Sequence, residues 1–269
     1  MNANFILFLK GMLMGICDLV PGISGGTVAF ITGIYERLIN AVKGFTPKLL
    51  TNFKEEHKKL DLKFLIVLFA GIIFSILLGS RIIEGLLLNH YAKTISFFIG
   101  LILASSFVIY DGIKEHSTLN YMYCFVGFLI GVGLIFLSPT EVSVSYWYLF
   151  VGGFLAIGAM FLPGISGSFI LLIIGLYESV IGMLHDLAAN WHDLSIFILG
   201  MIFGAFFISR IIAYLFEHDK NKTLYFLLGL VIGALGVPVM KVYEVGIINP
   251  WLFFVGAVLV LLVGKLSRS

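Results

Sequence analysis

Two short stretches of this sequence place proline, glycine and hydroxyl side chains together within apolar sequence. Their residues are, in chain order, Pro21, Gly22, Ser24, Gly25, Gly26 and Thr27, and then Pro163, Gly164, Ser166, Gly167 and Ser168. A proline ends a helix, glycines permit positive φ angles, and a serine or threonine caps the helix that follows. Each stretch should therefore point several free backbone N–H groups at one place, and such a group of amides favours an anion.

Two arginines could supply charge to the same anion. Arg81 and Arg210 each lie several residues inside a long apolar segment, where an arginine is costly enough to indicate a function. A guanidinium donates two hydrogen bonds to a phosphate or carboxylate group. A structural role stays open for both arginines, by reaching the membrane interface or by pairing with a neighbour such as Glu84.

Three carboxylates are candidates for carrying a coupled proton. Asp18 lies just before the first break and has no acidic counterpart, because Met160 occupies its place in the second copy. Glu36 and Glu178 follow the two breaks at matching positions, as proton carriers or as partners of the arginines. The alternative for both glutamates is an ordinary charge at the membrane interface.

Other site chemistries find little support in the sequence. No lysine follows the glycines as in a nucleotide-binding loop, and the histidines form no HExxH pattern. Cys17 and Cys124 have neither disulfide-framework nor zinc-site spacing. We therefore predict no metal, no cofactor, no nucleic-acid partner and no enzymatic activity.

The composition is that of an integral membrane protein. Of 269 residues 60% are hydrophobic and 12% charged, with a mean hydropathy of +1.07, whereas soluble domains are about 25% charged. Apolar segments run from end to end, so we predict a single transmembrane domain over 1–269 with no soluble domain. These segments are 4–17, 27–42, 62–88, 94–110, 121–138, 146–162, 168–184, 194–216, 223–240 and 250–266.

The distribution of basic residues predicts the orientation. In each half the first two segments flank the Pro-Gly break and are short, so each pair is either two tilted spans or one re-entrant hairpin. Both choices place Lys93 and Lys241 opposite the N-terminus. The basic residues on the side of the N-terminus are Lys43, Lys48, Lys54, Lys58, Lys59, Lys63, Lys114, Lys220, Lys222, Lys265 and Arg268. Both termini are therefore predicted to be cytoplasmic.

The chain contains an internal sequence repeat, with one copy in each half. Residues 21–36 match 163–178 at an offset of 142 (163 minus 21), and in each copy we expect a helix that ends at Tyr-Glu. "SRII" and a later Lys-Thr pair recur at an offset of 129 (209 minus 80). The repeats are 1–140 and 141–269. The alternative is an old duplication kept only for helix packing.

These features together predict the fold class. It is an all-α integral membrane protein with two inverted-topology repeats, each a Pro-Gly-broken helix pair, re-entrant or spanning, plus three spans. The repeats are inverted because each makes an odd number of crossings. Inverted repeats with broken helices are typical of secondary transporters, whose substrate site lies between the repeats.

The stretches "GICDLVPGISGGTVAFITGIYERLI" and "LPGISGSFILLIIGLYE" resemble the signature of the polyprenyl-phosphate transporters, described as undecaprenyl-phosphate translocases. The resemblance covers nearly the whole chain; Cys17 departs from it, where a small residue such as alanine is expected. It implies a protein of the bacterial cytoplasmic membrane that returns undecaprenyl phosphate, the lipid carrier of cell-wall synthesis, from the outer to the inner leaflet. A proton-linked cycle is a further hypothesis, because moving an anion toward a negative interior is uphill.

Other readings of the same residues remain open. Broken helices with free amides also suit a small-anion channel or secondary anion transporter. An enzyme acting on a lipid phosphate would need a nucleophile and a general acid, and the sequence offers no such set. A protein in which the motifs serve packing alone is a further alternative, and the sequence does not decide whether the protein works as a homodimer.

Overall fold

The computed structural model describes residues 3–20, 23–46, 60–113, 115–137 and 144–266. Within these ranges the secondary structure is helical, with no β-strand, and the prediction of an all-α protein is confirmed. The helices are α1 (Ala3–Asp18), α2 (Gly25–Ile31), α3 (Tyr35–Lys43), α4 (Leu62–Gly112), α5 (Thr118–Gly133), α6 (Tyr146–Phe161), α7 (Gly167–Ile173), α8 (Tyr177–His185), α9 (Leu187–His218), α10 (Lys220–Ala234), α11 (Gly236–Val245) and α12 (Pro250–Leu266).

Several helices are suited to a membrane. In the described ranges, four stretches are long and apolar enough to cross one: Leu62–Gly112, Thr118–Phe136, Leu187–His218 and Lys220–Val245. α4 has 51 residues, more than twice the roughly 20 that one span needs. It bends at His90, where φ is −142° and ψ is 39°. The segments predicted at 62–88 and 94–110 are therefore the two arms of α4.

Each Pro-Gly break is followed by two short helices, which corrects the prediction of one helix ending at Tyr-Glu. After α2 the chain turns at Gly33, whose φ is 72°. The N–H groups of Gly33 and Ile34 donate to the carbonyls of Phe30 and Ala29, the Schellman arrangement that ends many helices. Tyr35 therefore begins α3 instead of ending α2.

The second copy turns in the same way between α7 and α8. Gly175 has a φ of 69°, and the N–H groups of Gly175 and Leu176 donate to Leu172 and Leu171. Residues other than glycine rarely adopt such a φ. The segment predicted at 168–184 is thus also divided, at the position that matches Gly33.

Glycines allow the long helices to approach closely in pairs. Gly11 of α1 lies against the carbonyl of Leu68 in α4, and Gly153 of α6 lies against that of Phe197 in α9. A Cβ at either glycine would overlap this backbone, so the close approach depends on the missing side chain. The two contacts are related by the offsets of the sequence repeat, 142 (153 minus 11) and 129 (197 minus 68).

A second pair of contacts follows the same rule. Gly229 of α10 lies against the carbonyl of Cys124 in α5, and Gly100 of α4 lies against that of Phe253 in α12. Both partners differ by 129 (229 minus 100, and 253 minus 124). The repeated Lys-Thr pairs in turn mark two matching bends, because Thr94 and Thr223 each donate their hydroxyl to the carbonyl four residues earlier.

The first short helix after each break folds back along the helix before it. Lys10 Nζ, in the middle of α1, donates to the carbonyl of Thr32 at the end of α2, at 2.7 Å. The hydroxyl of Tyr148, near the start of α6, donates to the carbonyl of Ile174 at the end of α7, also at 2.7 Å. The two accepting carbonyls are repeat mates (174 minus 32 is 142). Each break is therefore the tip of a helical hairpin.

Side chains of α3, α9, α10 and the two segments that flank α4 pair with one another at one end of the molecule, here called the charged end. The pairs are Glu36–Lys220 at 2.6 Å, Lys43–Glu217 at 2.5 Å, Arg37–Asp61 at 2.6 Å and Asn221–Glu115 at 2.6 Å. The hydrogen bond from Arg37 holds the pKa of Asp61 below its ordinary value. These segments belong to the side predicted as cytoplasmic. Six basic residues used for that prediction lie outside the described ranges: Lys48, Lys54, Lys58, Lys59, Lys114 and Arg268.

Candidate functional site

The first hairpin tip is built around the start of α2. Asp18, the last residue of α1, accepts a hydrogen bond from the backbone N–H of Gly25, with Oδ1 at 2.7 Å. Ser24 is the N-cap of α2 and accepts from the N–H of Gly26 at 3.2 Å. A Cβ at Gly25 would overlap the Asp18 carboxylate, so a side chain at this position would displace Asp18 from the amide.

The second tip has the same shape and a different chemistry. Gly164 has a φ of 90°, and Ser166 occupies the N-cap position of α7. The Ser166 hydroxyl, however, lies 2.8 Å from the hydroxyl of Ser168 and does not cap the helix. Met160 packs against Gly167, in the place that a carboxylate takes in the first tip.

The two tips touch. The backbone N–H of Gly164 donates to the hydroxyl oxygen of Thr27 at 2.7 Å, although the two residues are 137 positions apart in sequence. The buried hydroxyl of Tyr35 donates to the carbonyl of Phe161 at 2.6 Å. The predicted site residues of the two breaks are thereby brought together, except that Pro21 and Gly22 lie outside the described residues.

A small cavity lies where the tips meet. Its lining residues are Ile23, Ser24, Thr27, Ile102, Gly164, Val231, Ala234 and Leu235. α4 and α10 supply the apolar wall through Ile102 and Val231, which are repeat mates (231 minus 102 is 129). Its volume of about 10 Å³ is roughly the least that holds one water molecule. A phosphate group does not fit, so the tips are closed on each other in this conformation.

The chain's own oxygens occupy the amides that the sequence predicted for an anion. Asp18, Ser24 and Thr27 each accept a hydrogen bond from one of them. An oxygen of an anion is the same kind of hydrogen-bond acceptor as these three. The Asp18 carboxylate thus accepts from an amide that the sequence predicted for a bound anion.

Arg210 is engaged with backbone away from the tips. Its guanidinium donates to the carbonyls of Phe206 at 2.6 Å, Lys43 at 3.2 Å and Phe45 at 2.9 Å. It also lies over the Phe206 ring, 3.5 Å from the centroid. In this conformation Arg210 holds the end of α3.

Arg81 differs from its repeat mate. It is exposed on α4 and makes no hydrogen bond or ion pair with any residue of the described ranges, Glu84 included. Of the two predicted arginines, Arg81 is the one that the described residues leave without a hydrogen-bond partner.

Among the residues that the structure describes, neither glutamate makes a hydrogen bond to a tip. Glu36 pairs with Lys220 across the charged end, and Glu178 is exposed at the start of α8. Asp18 is therefore the candidate proton carrier that contacts a tip. In the described part of the chain, no three His, Cys, Asp or Glu residues come together as metal ligands.

The sequence reasoning missed two contributions to this site. Lys10 fixes the end of α2, and a lone lysine within an apolar helix was a signal that could have identified it. The apolar wall from α4 and α10 carries no chemical signal of its own. Only the shared offset of 129 links Ile102 to Val231.

Long apolar helices and two broken hairpins that meet at one cavity are the features of a multi-pass membrane transporter. The sequence profile of a family described as undecaprenyl phosphate translocase-like matches residues 14–263. The chain belongs to this family, which is one of transporters and not of enzymes.

Two relatives carry the name polyprenyl-phosphate transporter. A Vibrio cholerae protein is 38% identical over 233 residues, which cover 85% of this chain and 75% of the relative. A Staphylococcus aureus protein is 30% identical over 288 aligned positions, covering 99% of this chain and 98% of the relative. No solved structure matches the chain.

Proposed function

We propose that this protein translocates undecaprenyl phosphate, a polyprenyl-phosphate lipid carrier, from the outer to the inner leaflet of a bacterial cytoplasmic membrane. Returning the carrier in this way supports the synthesis of peptidoglycan and other cell-wall polymers. The family and the relatives' names support the substrate. The observation that carries the proposal is the meeting of two amide-rich tips, one of which already holds a carboxylate.

The proposal includes two inverted repeats, 1–140 and 141–269. The glycine contacts support it, because α1 runs alongside the first arm of α4 in the same direction, and α6 runs alongside α9 in the same direction. α4 begins at the charged end, where Asp61 pairs with Arg37. α9 finishes at that end, where Glu217 pairs with Lys43. The two helix pairs thus point in opposite directions.

The broken helices are proposed as re-entrant hairpins with tips inside the bilayer. α1 has 16 residues, or about 24 Å of helix, which is short of the roughly 30 Å of hydrocarbon. α2 then returns along it, as the Lys10 bond indicates. With the charged end cytoplasmic, as the basic residues favour, both termini are cytoplasmic.

The phosphate path proposed here runs between the tips. Its ligands are the amides and hydroxyls at Ser24, Gly25, Gly26 and Thr27 in one tip, with Gly164, Ser166, Gly167 and Ser168 in the other. The sequence predicts that Pro21, Gly22 and Pro163 also belong to this site. Arg81 and Arg210 attract the headgroup, one on each side of the membrane. The isoprenoid tail stays in the lipid beside the protein.

Asp18 is proposed to couple a proton to the cycle. Its carboxylate competes with the phosphate for the Gly25 amide, and protonation removes the negative charge that strengthens this hydrogen bond and repels the phosphate. Inward movement of an anion costs about 2.3 kcal/mol per charge for each 100 mV, and a proton moving with it offsets this cost.

Reconstitution of the pure protein into liposomes tests the substrate. We expect undecaprenyl phosphate to change leaflet faster than in empty liposomes, with no uptake of chloride or inorganic phosphate. The second candidate, a small-anion channel or transporter, is favoured by the same amide-rich tips. Conductance or soluble-anion uptake, without movement of the lipid, would establish that candidate and reject the proposal.

A further inference from the structure

The two halves of the chain differ in how one short helix packs. α3 lies across α9, and the rings of Tyr35 and Phe216 are 5.8 Å apart. Lys43 pairs with Glu217, and Arg210 binds two carbonyls at the end of α3. α3 is therefore held by the opposite half as well as by its own.

The matching surface of the first half is open. A groove of about 360 Å³ on α4 is lined by Leu19, Ser80, Ile83, Glu84, Leu87 and Leu88. Their repeat mates, at the offsets of 142 and 129, are Phe161, Ser209, Ile212, Ala213, Phe216 and Glu217. Those mates form the surface that α3 covers: the carbonyl of Phe161 accepts the Tyr35 hydroxyl, and Ile212 and Phe216 are buried.

α8 is the repeat mate of α3 and packs differently. Its first residue, Tyr177, is 39% exposed, whereas Tyr35 is 3% exposed. Val180 and Met183 pack in a small core cluster whose other buried members come from α6, α7, α9 and the turn before α8. The buried face of α8 thus lies on its own half.

We propose that the groove on α4 is the docking seat of α8 in a second conformation of this protein. In that conformation the hydroxyl of Tyr177 donates to the carbonyl of Leu19, and the Tyr177 ring lies against Leu87. Arg81 binds the carbonyls at the end of α8. Each of these contacts is the repeat mate of one that α3 makes in the present conformation, and α3 leaves α9 when they form.

The arginines exchange their roles in this movement. Arg81 reaches the carbonyls of His185 and Leu187, the repeat mates of Lys43 and Phe45 (185 minus 43 and 187 minus 45 are both 142). An arginine without partners inside hydrocarbon is costly. Lipid provides no hydrophobic driving force between helices. The relative free energies of the two conformations therefore depend on packing and on hydrogen bonds of this kind. One groove closes as the other opens.

The exchange explains how Arg81 and Arg210 serve opposite sides of one path. Each arginine is free for a headgroup while its groove is open and binds backbone when its groove is closed. The inference rests on the proposed inverted repeats, and the parts that move are α3 and α8. Its test needs no substrate, so it can fail independently of the lipid assignment.

Spin-label distances on two matched pairs test the proposal in proteoliposomes. One pair is Gly85→Cys on α4 with Gly182→Cys on α8, where an added Cβ meets nothing within 4 Å. The control pair is Asn40→Cys on α3 with Tyr214→Cys on α9, both exposed. The pairs are repeat mates, since 182 minus 40 is 142 and 214 minus 85 is 129. Both are placed in a protein whose native cysteines, Cys17 and Cys124, are replaced by alanine.

We expect each pair to show a short and a long distance. In the parent protein the short distance should predominate for the 40/214 pair and the long distance for the 85/182 pair. Arg210→Ala removes the hydrogen bonds that hold α3, so it should raise the short-to-long ratio of the 85/182 pair about tenfold, the size expected for hydrogen bonds from a charged group. Arg81→Ala should lower the same ratio and raise that of the 40/214 pair.

Two results overturn the proposal. One is a single long distance for the 85/182 pair in both the parent protein and the Arg210→Ala variant. The other is a longer 40/214 distance in Arg210→Ala without any shortening of the 85/182 distance, because α3 would then have come loose without α8 docking.

Discussion

At the residue scale, two charged side chains of α1 set the first hairpin apart. Asp18 accepts from an amide at the start of α2, and Lys10 donates to a carbonyl at its end. Both charges complement the dipole of the short helix. The second hairpin has Met160 and Tyr148 in the corresponding roles, and neither carries a charge. A charge that changes with protonation is thus confined to one tip.

Replacing this carboxylate tests its proposed role in coupling. Asp18→Asn keeps an oxygen that accepts from Gly25 but cannot take up a proton. We expect an imposed pH gradient to accelerate lipid translocation by the wild-type protein and to have no effect on the variant. Glu178→Gln, which neutralises an exposed carboxylate, is the control and should keep the acceleration. An Asp18→Asn protein that responds to the gradient like wild type would exclude Asp18 as the proton carrier.

At the scale of elements, glycine conformation decides where the helices end and how closely the tips approach. Gly164 has a φ of 90°, and a Cβ there would lie 2.9 Å from the Cα of Val231. Its N–H donates to Thr27. The turn, the packing on α10 and the contact between tips therefore depend on one residue without a side chain.

Gly164→Ala should destabilise the protein by about 1 to 3 kcal/mol, the usual range for a residue forced into an unfavourable backbone region. The matched control is Gly182→Ala in α8, which meets nothing within 4 Å and should stabilise its helix by about 0.5 to 1 kcal/mol. Thermal unfolding in detergent measures both changes. Equal unfolding temperatures for the two variants would contradict the role of Gly164.

The sequence predicted these elements in part. It identified both breaks and the capping role of Ser24, because local residue types determine them. It missed the division after α2, because the apolar run continues through Gly33 and hides a helix end that the glycine alone indicates. It also did not predict that Thr27 meets Gly164, since that contact joins residues 137 positions apart and requires the tertiary fold.

At the scale of the whole molecule, one repeated unit packs in two ways. The main core cluster joins residues of α1 to α4 with residues of α9 to α11, while a smaller cluster holds α6 to α8 on α9. Repeat offsets predict which residues correspond, and the glycine contacts follow them. They do not predict that α3 and α8 pack differently. The two sequences are equivalent, so this difference depends on the packing of the complete chain.

The measurement that tests the central claim most directly is the rate at which undecaprenyl phosphate changes leaflet in proteoliposomes. The wild-type protein is compared with Arg81→Ala/Arg210→Ala and with Lys63→Ala/Lys93→Ala, which removes two positive charges from exposed positions. We predict translocation by the wild-type and lysine-variant proteins, and a loss of tenfold or more, about 1.4 kcal/mol, in the arginine variant. A wild-type rate equal to that of empty liposomes, or an arginine variant as fast as wild type, would contradict the account.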